Sequence, residues 1–140
     1  MTDMTILASR AVQRQRDPDT PRDRIFVRDL VLPIHIGVYD EEQGVTQKVG
    51  FTVEAELGQS GLALHDEIAE VPSYDDILKG IRAIVDAGHI NLVETLAEKI
   101  AAHCLADARI ASVRVRIEKL ERGPAAVGVE IVRPLRRERE

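Results

Sequence analysis
The sequence predicts an α+β domain of order ββααββ, with a four-stranded antiparallel sheet carrying both helices on one face. Three observations predict it. Val49, Phe51, Val53, Ala55 and Leu57 alternate with Gly50, Thr52, Glu54 and Glu56, the period-two signature of a strand with one buried and one polar face. The same alternation returns in Ser112–Lys119, where Val113, Val115 and Ile117 share a face opposite Arg114, Arg116 and Glu118. Between them, two stretches place apolar residues at helical spacing.

Taken in order, Met1–Asp23 crowds Arg, Gln, Asp and Pro without a sustained apolar face, and is expected to be a mobile arm. The domain is expected over 24–134. Arg24–Leu32 is rich in β-formers and reads as the first strand, interrupted by Pro33 and then Gly37. Tyr39–Gln47 is polar, with Gly44 as a turn point, and reads as an exposed loop before the strand Val49–Leu57. After the connection Gly58–Val71, Ser73 is placed to cap a helix with Asp75 and Asp76 in its first turn; Ile77, Leu78, Ile81, Ile84 and Val85 make its stripe, and Gly88 ends it. The second helix is expected over Asn91–Cys104, with Leu92, Val93, Leu96, Ala97, Ile100, Ala101 and Cys104 on one face. Asp107–Ile110 turns the chain into Ser112–Lys119, Gly123-Pro124 marks the next turn, and Val127, Val129 and Ile131 form the last strand. Residues 135–140 (LRRERE) read as a charged, solvated tail. Local connections favour antiparallel pairing. Glu54 and Glu56 against Arg114 and Arg116 predict cross-strand charge pairs on the polar face.

Composition narrows the function. A chain of 140 residues can bury a core of its own. Two Phe, two Tyr and no Trp leave no stacking platform for nucleic-acid bases, and a net charge of −5 gives no electrostatic case for a polyanion. No apolar run is long enough to span a bilayer, and the N-terminus lacks a signal-peptide core. The single Cys104 lies on an apolar helix face, where it reads as a small buried hydrophobe in a reduced, cytoplasmic setting. His35, His65, His89 and His103 are scattered, with no pair at ligand spacing, so a metal centre is not expected. There is neither a phosphate-binding glycine loop nor a nucleophile elbow.

Acid–base groups remain. The chain has 15 Arg and only four Lys, so each lysine stands out. Lys119 continues an apolar face at the end of its strand; it either snorkels out at the edge or lines a pocket and moves protons. Glu94, in the first turn of the second helix, either closes a capping box with Asn91 or presents a carboxylate to the paired N–H groups of a planar ligand. Tyr74 can pass a proton or simply pack at a helix start, and Glu41 and Glu42 read as solvated loop charges.

Read together, Arg24-Ile25-Phe26-Val27, Ile36-Gly37-Val38-Tyr39-Asp40-Glu41-Glu42-Gln43, Ser73-Tyr74, Asn91-Leu92-Val93-Glu94-Thr95-Leu96-Ala97-Glu98, Ile117-Glu118-Lys119 and Val127-Gly128-Val129-Glu130-Ile131 resemble, in order, the dihydroneopterin aldolase family. The resemblance covers about Arg24 to Arg133. It implies the tunnelling fold, in which such subunits close into a β-barrel as a tetramer or octamer with sites between neighbours. It implies Glu94 as the pterin anchor, assisted by the backbone at Val93, Lys119 as general acid/base, Glu42 as its partner and Tyr74 as proton relay from an adjacent subunit. The implied reaction is a metal- and cofactor-free retro-aldol cleavage of dihydroneopterin in folate synthesis, with epimerase activity at the same site. A dihydroneopterin triphosphate epimerase and a non-catalytic pterin-binding ring are the alternatives; Arg122, beside Lys119, bears on the first.

Overall fold
The computed structural model describes residues 21–59 and 64–135. All of the expected N-terminal arm before residue 21, and the tail after Leu135, lie outside the described residues. Four strands, β1 (Arg24–Ile34), β2 (Gln47–Leu57), β3 (Ile110–Lys119) and β4 (Val127–Arg133), and two helices, α1 (Tyr74–Asp86) and α2 (Val93–Leu105), follow the predicted order. The strands pair antiparallel in the spatial order β1-β2-β3-β4, so β1 and β4 are the two edges. α2 lies over β3 and β4, and α1 packs against α2 and β1.

The alternation in β2 and β3 does what period two requires. Val49, Phe51, Val53, Ala55, Val113, Val115 and Ile117 are fully buried beneath Ile77 and Ile81 of α1 and Leu96, Ala97 and Ile100 of α2. Each large side chain removed from water there contributes roughly 1.5–3 kcal/mol. Cys104 is buried in the same layer, and burial pushes its thiol up to about 11, which makes it an inert apolar filler.

The opposite face of the sheet carries charge pairs, of which Glu54–Arg114 is between the predicted strands, whereas Glu56 and Arg116 take other partners. Glu54 stands opposite Arg114 in the register, and Arg114 reaches Glu54 at 3.7 Å and Glu130 at 3.1 Å. Arg24 binds Glu56 at 2.9 Å and Arg116 binds Glu118 at 2.6 Å. These pairs are half-exposed and worth little individually; their effect is to keep a face with no helix over it wet and ordered.

Three local expectations are corrected. β1 does not stop at Pro33. It continues to Ile34, with Pro33 opposite Lys48, which an edge strand tolerates because one side of it has no ladder to complete. The irregularity lies earlier, between Val27 and Leu30, where Asp29 takes φ 55 and its N–H donates to Thr52 Oγ1 at 3.1 Å. Nor is Asn91 the cap of the second helix. The N-cap is Leu92, without a side-chain cap, so the Asn91–Glu94 capping box does not form. The cause is the preceding segment. Ile90 donates to His35 O at 3.2 Å and accepts from Gly37 N at 3.0 Å, a parallel bridge to Ile36 that holds the chain extended past Asn91. Thirdly, β2 and β3 each begin two residues earlier than the alternation suggested, at Gln47 and Ile110. The Ser73 cap does form, its Oγ accepting from Asp75 N at 3.1 Å.

The helices approach closely at Gly80. The His103 ring lies against it, its Nε2 3.0 Å from Asp76 O, and a Cβ on residue 80 would meet that ring at 2.2 Å. Gly80→Ala is therefore expected to destabilise the fold by about 1–3 kcal/mol, read as a lower urea midpoint; an unchanged midpoint would mean that the helices part without cost.

Candidate active site
The site is built where β1 ends and β3 ends, two points far apart in sequence and adjacent in space. After Ile36 the chain turns at Gly37, with φ 127, and enters a short 3-10 turn, Asp40–Glu42. That turn drives Glu42 inward: its side chain is 2% exposed, against 63% for its neighbour Glu41. The reading of both as solvated loop charges holds for Glu41 and is overturned for Glu42. A rigid turn, and not a loop, aims the carboxylate.

Four groups receive it. Lys119 Nζ, 15% exposed, donates to Glu42 Oε2 at 2.7 Å. Gln47 Nε2 donates to the same oxygen at 2.8 Å and to Ile36 O at 2.9 Å. Tyr39 N donates to Oε1 at 3.3 Å. Arg122 Nε stands 4.0 Å from Oε2. The fifth wall is Gly37: a Cβ there would lie 2.1 Å from Glu42 Cδ, so glycine is required both by the left-handed backbone and by the carboxylate pressed against it. Burial alone would raise the Glu42 pKa; the hydrogen bonds from Lys119, Gln47 and Tyr39 N, with the lysine charge, outweigh it and lower the group to about 2. The pair is thus a carboxylate held ionised with its ammonium donor beside it. It sits at the sheet end, where Lys119 is opposite Val49 and Val127.

The other predicted residues stand apart from this pair. Glu94 lies in the first turn of α2, exposed. With the Asn91 cap gone, its carboxylate makes no hydrogen bond or ion pair among the described residues. Val93 opens the same helix and is half-buried against the core. Tyr74 opens α1 and is 58% exposed. The structure brings Lys119 and Glu42 together within the chain; it does not bring Tyr74 into contact with them. Gln47 and Gly37 are the participants that the sequence alone missed. Gly37 carried a signal, a glycine just after an apolar strand; Gln47 carried none, being one polar residue among several.

A groove of about 640 Å³ opens elsewhere, between α1, the end of α2 and the turn before β3, lined by residues including Ile77, His103 and Arg109. It takes in none of Lys119, Glu42, Glu94 or Tyr74, and its buried thiol is inert, so the ion pair is the stronger chemical candidate. Among the described residues no group of three or more His, Cys, Asp or Glu is placed to hold a metal, and no helix is long and apolar enough to cross a membrane.

The family model FolB, dihydroneopterin aldolase, matches residues 25–132. The chain belongs to this family. Among dihydroneopterin aldolases, that of Escherichia coli K12 is 34% identical over 97 residues, 69% of this chain and 80% of the relative. That of Methylorubrum extorquens is 34% identical over 116 residues, 79% and 89% of the two chains. A crystal structure of a Burkholderia dihydroneopterin aldolase bound to guanine superposes with a TM-score of 0.70 at 31% identity, covering 86% of this chain and 93% of that one. The E. coli enzyme in complex with neopterin gives 0.69 at 32% identity, covering 80% and 99%. The dihydroneopterin aldolase fold, a ββααββ subunit with one antiparallel sheet, is therefore this chain's fold.

The Glu42 environment predicts an acid-labile core. The folded pKa lies below the unfolded value of 4.5, so the contribution is complete above about pH 5 and is lost as pH falls towards 2. The unfolding free energy from urea titrations is expected to drop across that window by an amount on the order of 2–3 kcal/mol, and Glu42→Gln should flatten the drop. An equal slope in both proteins would assign the acid lability to other carboxylates.

Proposed function
We propose that this chain is a dihydroneopterin aldolase in activity as well as family, cleaving dihydroneopterin to hydroxymethyl-dihydropterin and glycolaldehyde in folate biosynthesis. The observation that carries the reading is the buried Lys119–Glu42 pair, at 2.7 Å, at an open end of the sheet. A lysine ion-paired with a carboxylate beside a substrate can, as the amine, take a proton and return it, which is what a retro-aldol reaction needs.

In this reading Glu94 accepts the 2-amino and ring N–H groups of the pterin as two parallel hydrogen bonds, and the backbone at Val93 orients the ring. The terminal groups of the substrate side chain then lie against Glu42 and Lys119. The amine of Lys119 takes the proton of the second side-chain hydroxyl. The bond between the two hydroxyl-bearing carbons breaks, its electron pair passes through the carbon next to the ring into the protonated imine, and glycolaldehyde leaves. Tyr74, from an adjacent subunit, relays a proton from Lys119 to that carbon while the ring nitrogen gives up its own, so protons balance. The ring itself takes the electron pair, so the scheme calls for no metal, cofactor or Schiff base. Re-addition of the aldehyde on the other face would invert the carbon, and epimerase activity belongs to the same site.

An adjacent subunit fits the edges of the sheet. β1 and β4 both end the ladder, and Phe26, Val127 and Val132 are exposed on them; pairing with further copies would close the sheet into a barrel, as a tetramer or an octamer, and remove two open edges. The reading places the enzyme in the cytoplasm, with residues 24–134 as the catalytic domain between an N-terminal arm and a charged tail.

Chromatography of the pterins formed from dihydroneopterin, with glycolaldehyde assayed in the same tube, tests the reading: equimolar products are expected. The epimer alone, or turnover only of the triphosphate, would move the assignment to an epimerase, and binding without product to a pterin-binding ring. Lys119→Ala is expected to lower kcat by about 10²–10⁴-fold while pterin fluorescence titrations still show binding. Glu94→Gln should weaken pterin affinity by about 1.5–3 kcal/mol, seen by calorimetry.

A further inference from the structure
We propose that Arg122 is a positioning residue that sets how readily Lys119 gives up its proton, by placing a second cation on Glu42, and that Glu41 is the counterweight that holds it there. The proposal rests on the aldolase reading of Lys119 and adds a control to it.

The geometry is a ring of four charges drawn from two loops. Lys119 and Arg122 come from the end of β3 and the turn after it; Glu41 and Glu42 come from the 3-10 turn after β1. Glu42 Oε2 faces Lys119 Nζ at 2.7 Å and Arg122 Nε at 4.0 Å. Arg122 Nη2 is held by Glu41 Oε1 at 3.2 Å, and its guanidinium lies 5.6 Å from the centre of the Tyr39 ring, the residue that caps that turn. Arg122 is therefore fixed on three sides, by a carboxylate, a ring face and the buried Glu42. A guanidinium does not lose its proton at any working pH, so its charge is constant, and Lys119 is the cation of the ring that can change.

The other charged groups of the surrounding elements are engaged elsewhere or make no bond to the pair. Glu118 is bound to Arg116, and the Glu121 carboxylate accepts from Lys48 N at 2.9 Å. His89 contacts Gly37 O at 2.7 Å. Asp40, on the same turn, and His35 and the Lys48 side chain, on the flanking chain, make no hydrogen bond or ion pair to Lys119 or Glu42. The balance then reduces to the four. With all charged, the ring is neutral. Without Arg122 it carries a net negative charge, which holds the Lys119 ammonium more tightly. Without the Glu41 charge it carries a net positive one, and the guanidinium is free to move onto Glu42; both effects favour the neutral amine.

The two substitutions are thus expected to move the acid limb of the pH–rate profile in opposite directions. Arg122→Gln should raise it by about half to one pH unit, lowering turnover below the limb about three- to tenfold, and Glu41→Gln should lower it by a similar amount. Arg122→Lys, which keeps the charge, should fall between Arg122→Gln and the unmodified protein. Because the chain has only four lysines, the Lys119 ammonium can also be titrated directly by nitrogen NMR in each variant, so a folded but slow variant still reports. Opposite shifts in both readouts support the proposal. Shifts of the same sign, or none, overturn it and leave Arg122 as a brace for the turn. The aldolase reading fails separately, if Lys119→Ala retains full turnover.

Discussion
One buried carboxylate organises the functional end of this molecule. Glu42 is an anion buried at the end of the sheet, and a buried anion is tolerable only if it is paired and hydrogen-bonded. Each requirement explains a neighbouring residue. Gly37 leaves the space, Gln47 ties the carboxylate to the strand end at Ile36 O, Tyr39 offers a backbone N–H, and Lys119 supplies the opposite charge. The interaction also spans the chain, joining residues 77 positions apart. The turn after β1 cannot take another course without stranding the charge. Removing one partner of such a pair costs more than the pair itself contributes to stability, and the geometry is accordingly narrowly set.

The sheet divides the labour. One face carries aliphatic side chains in strict alternation and holds both helices; the other carries a lattice of Arg and Glu pairs exposed to water. The charge pairs keep that face solvated and discourage a second apolar layer from forming on it. The ends of the strands, where alternation runs out, are where a charged residue can sit half in the core, and Lys119 occupies such an end. Its position follows from the pleat: two residues beyond Ile117, it belongs to the inward row, yet it is the last of that row and so reaches polar company.

Most of the fold was legible because alternation and helical spacing are strong signals over eight or more residues. The boundaries of β2, β3 and the second helix lie within two residues of those the patterns predict, and Ser73 caps the first helix as its position implies. What was not legible depended on contacts between distant segments. The extension of β1 through Pro33 is permitted by its edge position, which is a property of the sheet and not of the strand. The failure of Asn91 as a cap follows from the Ile90 bridge to the β1 exit, which no local pattern discloses. In the site, Lys119 stood out by its face and Glu94 by its place in a helix, whereas Glu42 looked like any loop carboxylate until the resemblance to dihydroneopterin aldolases set it beside Lys119. Its burial comes from a 3-10 turn too short to leave a periodic trace.

The bridge between Ile36 and Ile90 has a further consequence. It joins the segment leading to Glu42 to the segment leading into α2, where Glu94 stands one residue past the helix start. Two main-chain hydrogen bonds, from Gly37 N and Ile90 N, therefore fix the spacing between the acid–base end and the ring-anchoring end of the proposed site. Apart from Gly37, which must stay glycine, these contacts use main-chain atoms that every residue type but proline supplies. The span between the two ends, and with it the length of substrate that fits, is thus insulated from point substitution at either end, and would be altered chiefly by adding or removing residues in the connector between the helices.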